Sequence, residues 1–494
     1  MIAAPNNLSV LLDKPKSDFT RDDIKDAVRR LGIRMVNFRF VAGDGRLRTF
    51  SFVVQSQHHL DRILTAGERI DGSSIFRYMD AGRSDLYVVP AYRKAFINPF
   101  AHVPTLDVMC AFFDSAGLPL ATAPENILRR AATTLSERTG YSLECHAELE
   151  FYLVSTQPTL YPGTAQRGYG QSAPFSNWES VRTDAMVALA DMGFPVKYGH
   201  NEVGKIHESV HHLEQHEIEF ALMDPEDSAD AVVLARWVLR MASDRRGVTA
   251  TFAPKLVHGL AGSGMHVHAR LVKDGRNATA DDRGITDAGK KQLAGMLSLA
   301  RSLTAFGNTV PISYLRLVPN QEAPVFICWG ERNRCALVRV PLGWRGVADM
   351  AASANPNDPT VHTEIANNTT VELRSPDGSA DAHMLHAGLL VATRHGLEMQ
   401  AASDLVDKLR ITANIFLPEY EEFRTTLPKL PGSCRESATA LVDQRAVYEQ
   451  YGVFPPAAID GVAQALRGFG DEERSIAANF EELHSIINKY MHCA

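Results

Sequence analysis

Residues 146–153 read HAELEFYL, and no other run restricts the fold as strongly. In a β-strand, alternate side chains point to opposite faces. Leu149, Phe151 and Leu153 then turn toward a core, while Glu148 and Glu150 share the other face. Two carboxylates on one sheltered face are costly unless a cation lies against them. Three more runs repeat the pattern. MHVHARL (265–271) places His266, His268 and Arg270 on one face, TTVELRS (369–375) places Glu372 and Arg374, and GHNEV (199–203), if extended, places His200 and Glu202. A single strand of this kind simply shows a polar face to water. Four of them, whose outward residues are Glu, His and Arg with scarcely a Ser, Thr or Lys, point to a concave surface that gathers metals and anions.

Carboxylate-rich sets with an imidazole suit Mg²⁺ or Mn²⁺. Arginines beside such metals suit phosphate or carboxylate groups, and GERNRCALVRVP (330–341) supplies Arg332, Arg334 and Arg339. AGSGMHVH (261–268) adds glycines where backbone can approach a ligand. Together these point to phosphoryl transfer from a nucleotide, without the GxxxxGK[ST] loop of P-loop enzymes. HESVH (207–211) matches the H-E-x-x-H pattern of zinc peptidases. That pattern fixes three positions in a chain with 18 histidines, and IHESVHHLEQHEIEF is polar nearly all round, so a solvated His-rich segment is the expectation.

The length of 494 residues allows two or three domains. A net charge of −7 leaves no electrostatic footprint for nucleic acid. Six cysteines without a CxxC suit a reduced, cytoplasmic interior. The N-terminus does not read as a signal peptide, and no apolar run approaches membrane-spanning length. Residues 1–18 read as a polar, proline-punctuated arm. Residues 19–115 read as a small α+β domain: a helix at 20–33 with a Thr cap, a hairpin at 35–54 around GDG, and strands at DLYVVP and TLDVMCAFF. Residues 116–494 form the larger part, with helices at 123–140 and 227–247, short strands between, and a mainly helical last hundred residues.

Ten stretches, in order, resemble the glutamine synthetases, of the bacterial type I class and its γ-glutamyl-amine ligase relatives. They are IDGSSI (70–75), SDLYVVP (84–90), AELEFYL (147–153), HNEV (200–203), QHEIEF (215–220), ATFAPK (250–255), GSGMHVH (262–268), SYLRLVPNQEAPVF (313–326), ERNRCALVRVP (331–341) and VELRSPDGSAD (371–381). The resemblance implies an α+β fold: an N-terminal β-grasp-like domain and a C-terminal catalytic domain, an open half-barrel of antiparallel strands flanked by helices. It also implies a homo-oligomeric ring, twelve subunits in type I relatives, with active sites between neighbours. By the same resemblance Glu150, Glu202 and Glu217 hold one Mg²⁺ or Mn²⁺, and Glu148, His266 and Glu372 hold the other, nearer ATP. Arg316 and Arg374 resemble residues that hold glutamate, and Gly262 the backbone its amino end approaches. Arg334 and Arg339 resemble a phosphate-stabilising pair, and His268 a nucleotide contact. Glu322 resembles the glutamate of a closing flap, and Asp71 an aspartate given by the adjacent subunit to deprotonate ammonium. His146 matches no ligand and is expected to support or pack against the site.

The activity implied is ATP-dependent amide formation on the γ-carboxylate of glutamate, through γ-glutamyl phosphate, with ammonia as acceptor. The alternatives are a ligase for ethanolamine, a monoamine or a polyamine, and a catalytically silent paralogue, which the full set of ligand candidates argues against. The chain departs from the family pattern at Ala261, Lys197, Thr370 and Arg270, and in a longer gap between Glu202 and Glu217 that contains HESVH.

Overall fold

The computed structural model describes residues 7–469 apart from 77, 78, 80, 81, 83, 158, 209, 210, 319–322, 345, 346 and 359–367, together with 485, 488–490 and 493. Strands β1 (Met35–Val41) and β2 (Leu47–Val53) form the expected antiparallel hairpin, with Gly45 at φ 76° in its turn, a conformation that favours glycine. With β3 (Glu68–Asp71), β4 (Asp85–Ile97) and β5 (Thr105–Phe113) they make a sheet ordered β2-β1-β5-β4-β3, in which β1 and β5 run parallel. DLYVVP proves to be the start of one long strand, bent between Pro90 and Ala95.

Helix Arg21–Arg30 buries Ile24, Ala27 and Val28, the i, i+3, i+4 stripe of an amphipathic helix. Thr20 and Asp23 form its capping box. The described part of the arm is tied down: Asn7 caps a short helix, Leu8–Leu12, Leu8 is buried, and Lys14 meets Asp23 at 2.7 Å.

The second sheet contains β6 (Ser142–Ser155), β7 (Val196–Glu208), β8 (His211–Phe220), β9 (Thr249–Thr251), β10 (Met265–Lys273), β11 (Trp329–Glu331), β12 (Val338–Val340) and β13 (Val371–Leu373). Its order is β11-β12-β13-β10-β6-β8-β7, with β9 beside β6. Leu143, Cys145, Ala147, Leu149, Phe151 and Leu153 of β6 join Val267, Ala269, Ile218 and Leu373 in one buried core. Each large side chain buried there contributes about 1.5–3 kcal/mol. Helix Pro225–Asp244 packs on β6, and Ala382–Glu398 packs on that helix and on Pro124–Thr139. Both the Pro124–Thr139 and Pro225–Asp244 helices lie where the sequence pattern puts them; Gln57–Ala66, Glu179–Asp191 and Asp287–Ser298 are helices that the pattern did not single out. No helix among the described residues is long and apolar enough to cross a membrane.

The two sheets are joined at the first turn of Pro225–Asp244. Arg93 reaches Glu226 at 3.0 Å and Asp227 at 2.9 Å, and Lys94 reaches Asp230 at 2.6 Å. Lys16 and Arg129 add pairs to Asp227 and Glu226 at 2.8 and 3.1 Å. Burial pushes the Asp230 carboxyl up, but Lys94 and then His383 more than reverse this and hold it below the usual carboxylate range. Such a group stabilises the fold above its unfolded value of about 3.9; the contribution is lost as pH falls through the lower folded value. Lys94→Met leaves Asp230 and Glu226 short of a partner in a buried place, and should cost about 3 kcal/mol of unfolding free energy at pH 7. Urea denaturation should show this loss shrinking toward pH 3.

Candidate active site

Strand register assembles the site. Three rows of facing residues cross the concave face: Arg339, Glu372, His268 and His146; then His266, Glu148, Glu219 and Tyr198; then Glu150, Glu217 and His200. Because side chains repeat every two residues, these rows fall on one face together. Glu202 reaches the site differently. Between Asn201 and Lys205 the ladder of β7 is irregular, so residues 202–204 oppose Gln215 alone, and Glu202 stands in this bulge on the same side as His200.

Two groups of ligand-type atoms result. Atoms of Glu148, His268 and Glu372 lie within 4.8 Å of one another, as do those of His200, Glu202 and Glu217. His266 belongs with the first group, since its Nδ1 lies 2.9 Å from Glu148 and 3.4 Å from Glu372. Glu150 lies between the groups, its Oε1 4.0 Å from His266 Nε2, while its Oε2 accepts from Gly264 N at 2.7 Å and Gln215 Nε2 at 3.0 Å. Each expected carboxylate set therefore has an imidazole beside it that was not assigned as a ligand, His268 in one and His200 in the other. Gln215, bonded to both Glu150 and the Gly262 carbonyl, was also missed; its place in QHEIEF, two before Glu217 and so on the same strand face, could have flagged it.

The electrostatics divide the groups. Burial raises Glu148, but the charge on His268 and hydrogen bonds from both histidines hold it well below the usual range. Burial pushes Glu202 up to about 8, helped by the negative Glu150 and Glu217. Glu217 is raised for the same reasons, with Glu148 its nearest repulsion after burial. Mostly carboxylate oxygens, with imidazole nitrogen alongside, make a donor set that fits Mg²⁺ or Mn²⁺, and a dication would relieve the repulsion that raises Glu202 and Glu217.

The arginines ring this face. Arg339 Nη1 donates to Glu372 at 3.0 Å, and Arg374 Nε donates to the other Glu372 oxygen at 3.1 Å. Arg316 is buried, donates to the Ser375 carbonyl at 2.9 Å and lies 3.5 Å from His266. Arg334 is exposed, and its carbonyl holds the Arg374 guanidinium. At Gly262 a side chain would collide with the Pro254 carbonyl, so glycine is required there. His268 donates or accepts at Glu148 and Thr370, both at 2.9 Å, and His146 stacks on it with ring centroids 4.3 Å apart. Lys197 meets Glu219 at 2.5 Å, and Arg270 meets Glu144 at 2.6 Å.

Two predicted residues are not brought into these groups. Asp71 ends β3 and is held by Ser73 and Ser74 of the turn that follows and by Ser84 just before β4, bonds that lower its carboxyl. Glu322 lies outside the described residues. HESVH does not form the helix that a zinc peptidase needs: His207 and Glu208 end β7, His211 starts β8, and His207 pairs across the hairpin with His212, their Nδ1 atoms 3.0 Å apart. Serine 209 and valine 210 are outside the described residues.

An ATP-dependent ligase is the class of enzyme that this fold and these side chains define. The chain belongs to the glutamine synthetase family: the family's catalytic domain matches residues 121–465 and its beta-grasp domain residues 32–115. That family uses ATP and divalent metals. The chain is 29% identical to a glutamine synthetase of Clostridium saccharobutylicum, covering 88% of this chain and 92% of that one. It is 30% identical to a glutamine synthetase of Staphylococcus aureus, covering 78% and 81%. Its fold is shared with GmaS solved in complex with ADP (TM-score 0.73, 20% identity, 94% and 99% covered). It is shared equally with the Plasmodium falciparum glutamine synthetase (TM-score 0.73, 18% identity, 94% and 98% covered).

A raised carboxyl binds more protons folded than unfolded, so it takes stability away as pH rises from its unfolded value toward its folded one. Metal-free protein should therefore lose stability between about pH 4.5 and 8 through Glu202, and Glu202→Gln should flatten that loss in thermal melts. The same substitution should weaken Mn²⁺ binding at least about tenfold by calorimetry.

Proposed function

We propose that this chain makes glutamine from glutamate, ammonia and ATP. The observation that carries this reading is the register placing Glu148, His266, His268 and Glu372 beside Glu150, Glu202, Glu217 and His200 on one arginine-ringed face. Mg²⁺ or Mn²⁺ held by Glu150, Glu202 and Glu217, and by Glu148, His266 and Glu372, would neutralise charge on the phosphoryl oxygens when bound.

Arg316 and Arg374 are assigned to the carboxylates of glutamate, with its amino group against the Gly262 backbone. Arg339 and Arg334 are assigned to the phosphoryl oxygens, and His268 to the nucleotide. A γ-carboxylate oxygen attacks the γ-phosphorus and ADP leaves. The amine nitrogen then attacks the acyl carbon and phosphate leaves, while a carboxylate takes the amine's proton. Asp71 and Glu322 are assigned to attracting ammonium and then accepting its proton. A homo-oligomeric ring with sites shared between subunits, twelve by analogy with type I relatives, belongs to the same reading. A cytoplasmic setting accords with the six free cysteines.

A second reading, a larger amine such as ethanolamine, a monoamine or a polyamine, rests on Ala261. That position offers only backbone, its N–H donating to Gln166 and its carbonyl accepting from Tyr152, both at 2.9 Å, where the family carries a polar side chain near the substrate. Phosphate release with glutamate and an amine panel decides between them. Turnover with ammonia at the lowest concentration supports the first reading, and an amine accepted while ammonia is refused supports the second. No turnover with any amine would sink both.

Asp71→Ala should lower kcat/KM for ammonium by about a hundredfold or more, while ATP binding by calorimetry stays within about threefold of wild type. Outright loss of ATP binding would show that Asp71 is misplaced.

A further inference from the structure

We infer that the far end of the β7–β8 hairpin binds a late-transition divalent ion, Ni²⁺ or Cu²⁺ by its geometry, with His207 and His212 as ligands. The two residues face each other across the antiparallel ladder, and their Nδ1 atoms lie 3.0 Å apart. Two imidazole nitrogens, each about 2.1 Å from an ion and at the right angle of square or octahedral coordination, stand about 3.0 Å apart. The tetrahedral angle preferred by Zn²⁺ would spread them to about 3.4 Å. Imidazole suits Ni²⁺ and Cu²⁺, whereas Mg²⁺ takes oxygen.

The rest of the pair's surroundings prepares it for this role. His207 Nε2 lies against the Pro162 carbonyl, which can only accept, so that nitrogen carries the proton and the lone pair of His207 sits on Nδ1, beside His212. A carbonyl holding the far nitrogen of a histidine is how metal-ligating imidazoles are commonly oriented. Burial lowers the proton affinity of His207, which keeps its ring neutral near pH 7. Without an ion, a proton on His212 Nδ1 joins the two rings. When an ion enters, His212 takes the tautomer protonated on Nε2, both Nδ1 lone pairs turn to the ion, and no net proton is released. The backbone beneath is anchored. Ile206 and Leu213, the next facing pair toward the root, are buried on the opposite side of the ladder with Tyr152, Val154 and Leu256. Lys205 meets Glu214 at 3.3 Å one pair further on. The ligands are the first histidine of HESVH and the residue after its second, so the H-E-x-x-H spacing itself plays no part. Neither belongs to the carboxylate groups of the site. An ion here staples β7 to β8 beyond the bulge that bears Glu202, and so stiffens the hairpin whose root carries Glu202 and Glu217.

The test uses untagged, full-length protein in excess Mg²⁺, which occupies oxygen-rich sites, and titrates Ni²⁺ by calorimetry while following the thermal midpoint. Saturable Ni²⁺ binding that raises the midpoint is expected. His207→Ala and His212→Ala should each weaken that binding about tenfold or more, and Glu202→Gln at the root of the hairpin should leave it unchanged. If His207→Ala, which also loses the Pro162 contact, does not fold, His212→Ala decides. Absence of saturable Ni²⁺ binding, or binding that Glu202→Gln weakens and His212→Ala does not, overturns the inference.

Discussion

Repulsion among carboxylates on neighbouring strands is the constraint around which this molecule is organised. Glu148, Glu150, Glu217, Glu219 and Glu372 share one face of a sheet whose other face is packed with Leu149, Phe151, Ile218 and Leu373. Slipping any strand by one residue would bury these charges among apolar side chains and bring the apolar ones to the site. The hydrophobic core thus enforces the charge arrangement, and the histidines and arginines set into the same rows keep it tolerable. Glu148 rests between two imidazoles, and Glu372 between two guanidinium groups.

The same logic recurs where the two sheets meet. Acids in the first turn of Pro225–Asp244 complement the helix dipole, and basic residues of β4 and the arm meet them there. One helix carries the N-terminal sheet at its start, packs on β6, and buries Arg236 with its guanidinium on the Ala380 carbonyl. Displacement of the N-terminal sheet is therefore felt beneath the strand that bears Glu148 and Glu150.

Period-2 alternation made the strands of HAELEFYL and MHVHARL legible, and it also assigned Glu148, Glu150, His266 and His268 to their face. It could not give the partner of each strand, because register depends on contacts far apart in sequence. So Glu372 standing opposite His268, and His200 opposite Glu217, emerged only from the fold. Alternation in GHNEV did put Glu202 beside His200, but not the bulge that follows Asn201. Helix Gln57–Ala66 was missed although it is amphipathic, because QHHLDRILTA lies between strands with little to mark it beyond its Ser56 cap. Arg236 lies in an apolar helix where a long side chain is expected to snorkel outward, and nothing local shows that it stays inside.

The β7–β8 hairpin shows how a protein lengthens a loop without disturbing what lies at its root. The distal pairs, Lys205 with Glu214 through Glu208 with His211, extend the ladder beyond the bulge, and Lys205 is buried against Glu214 at 3.3 Å. An antiparallel hairpin that gains residues in matched pairs at its tip keeps its base in register. Glu202 and Glu217, far apart along the chain, are neighbours in space because both stand at the root of the hairpin. The histidines that mimic a metallopeptidase motif are rungs of that distal ladder, while the root of the hairpin carries the carboxylates of the site.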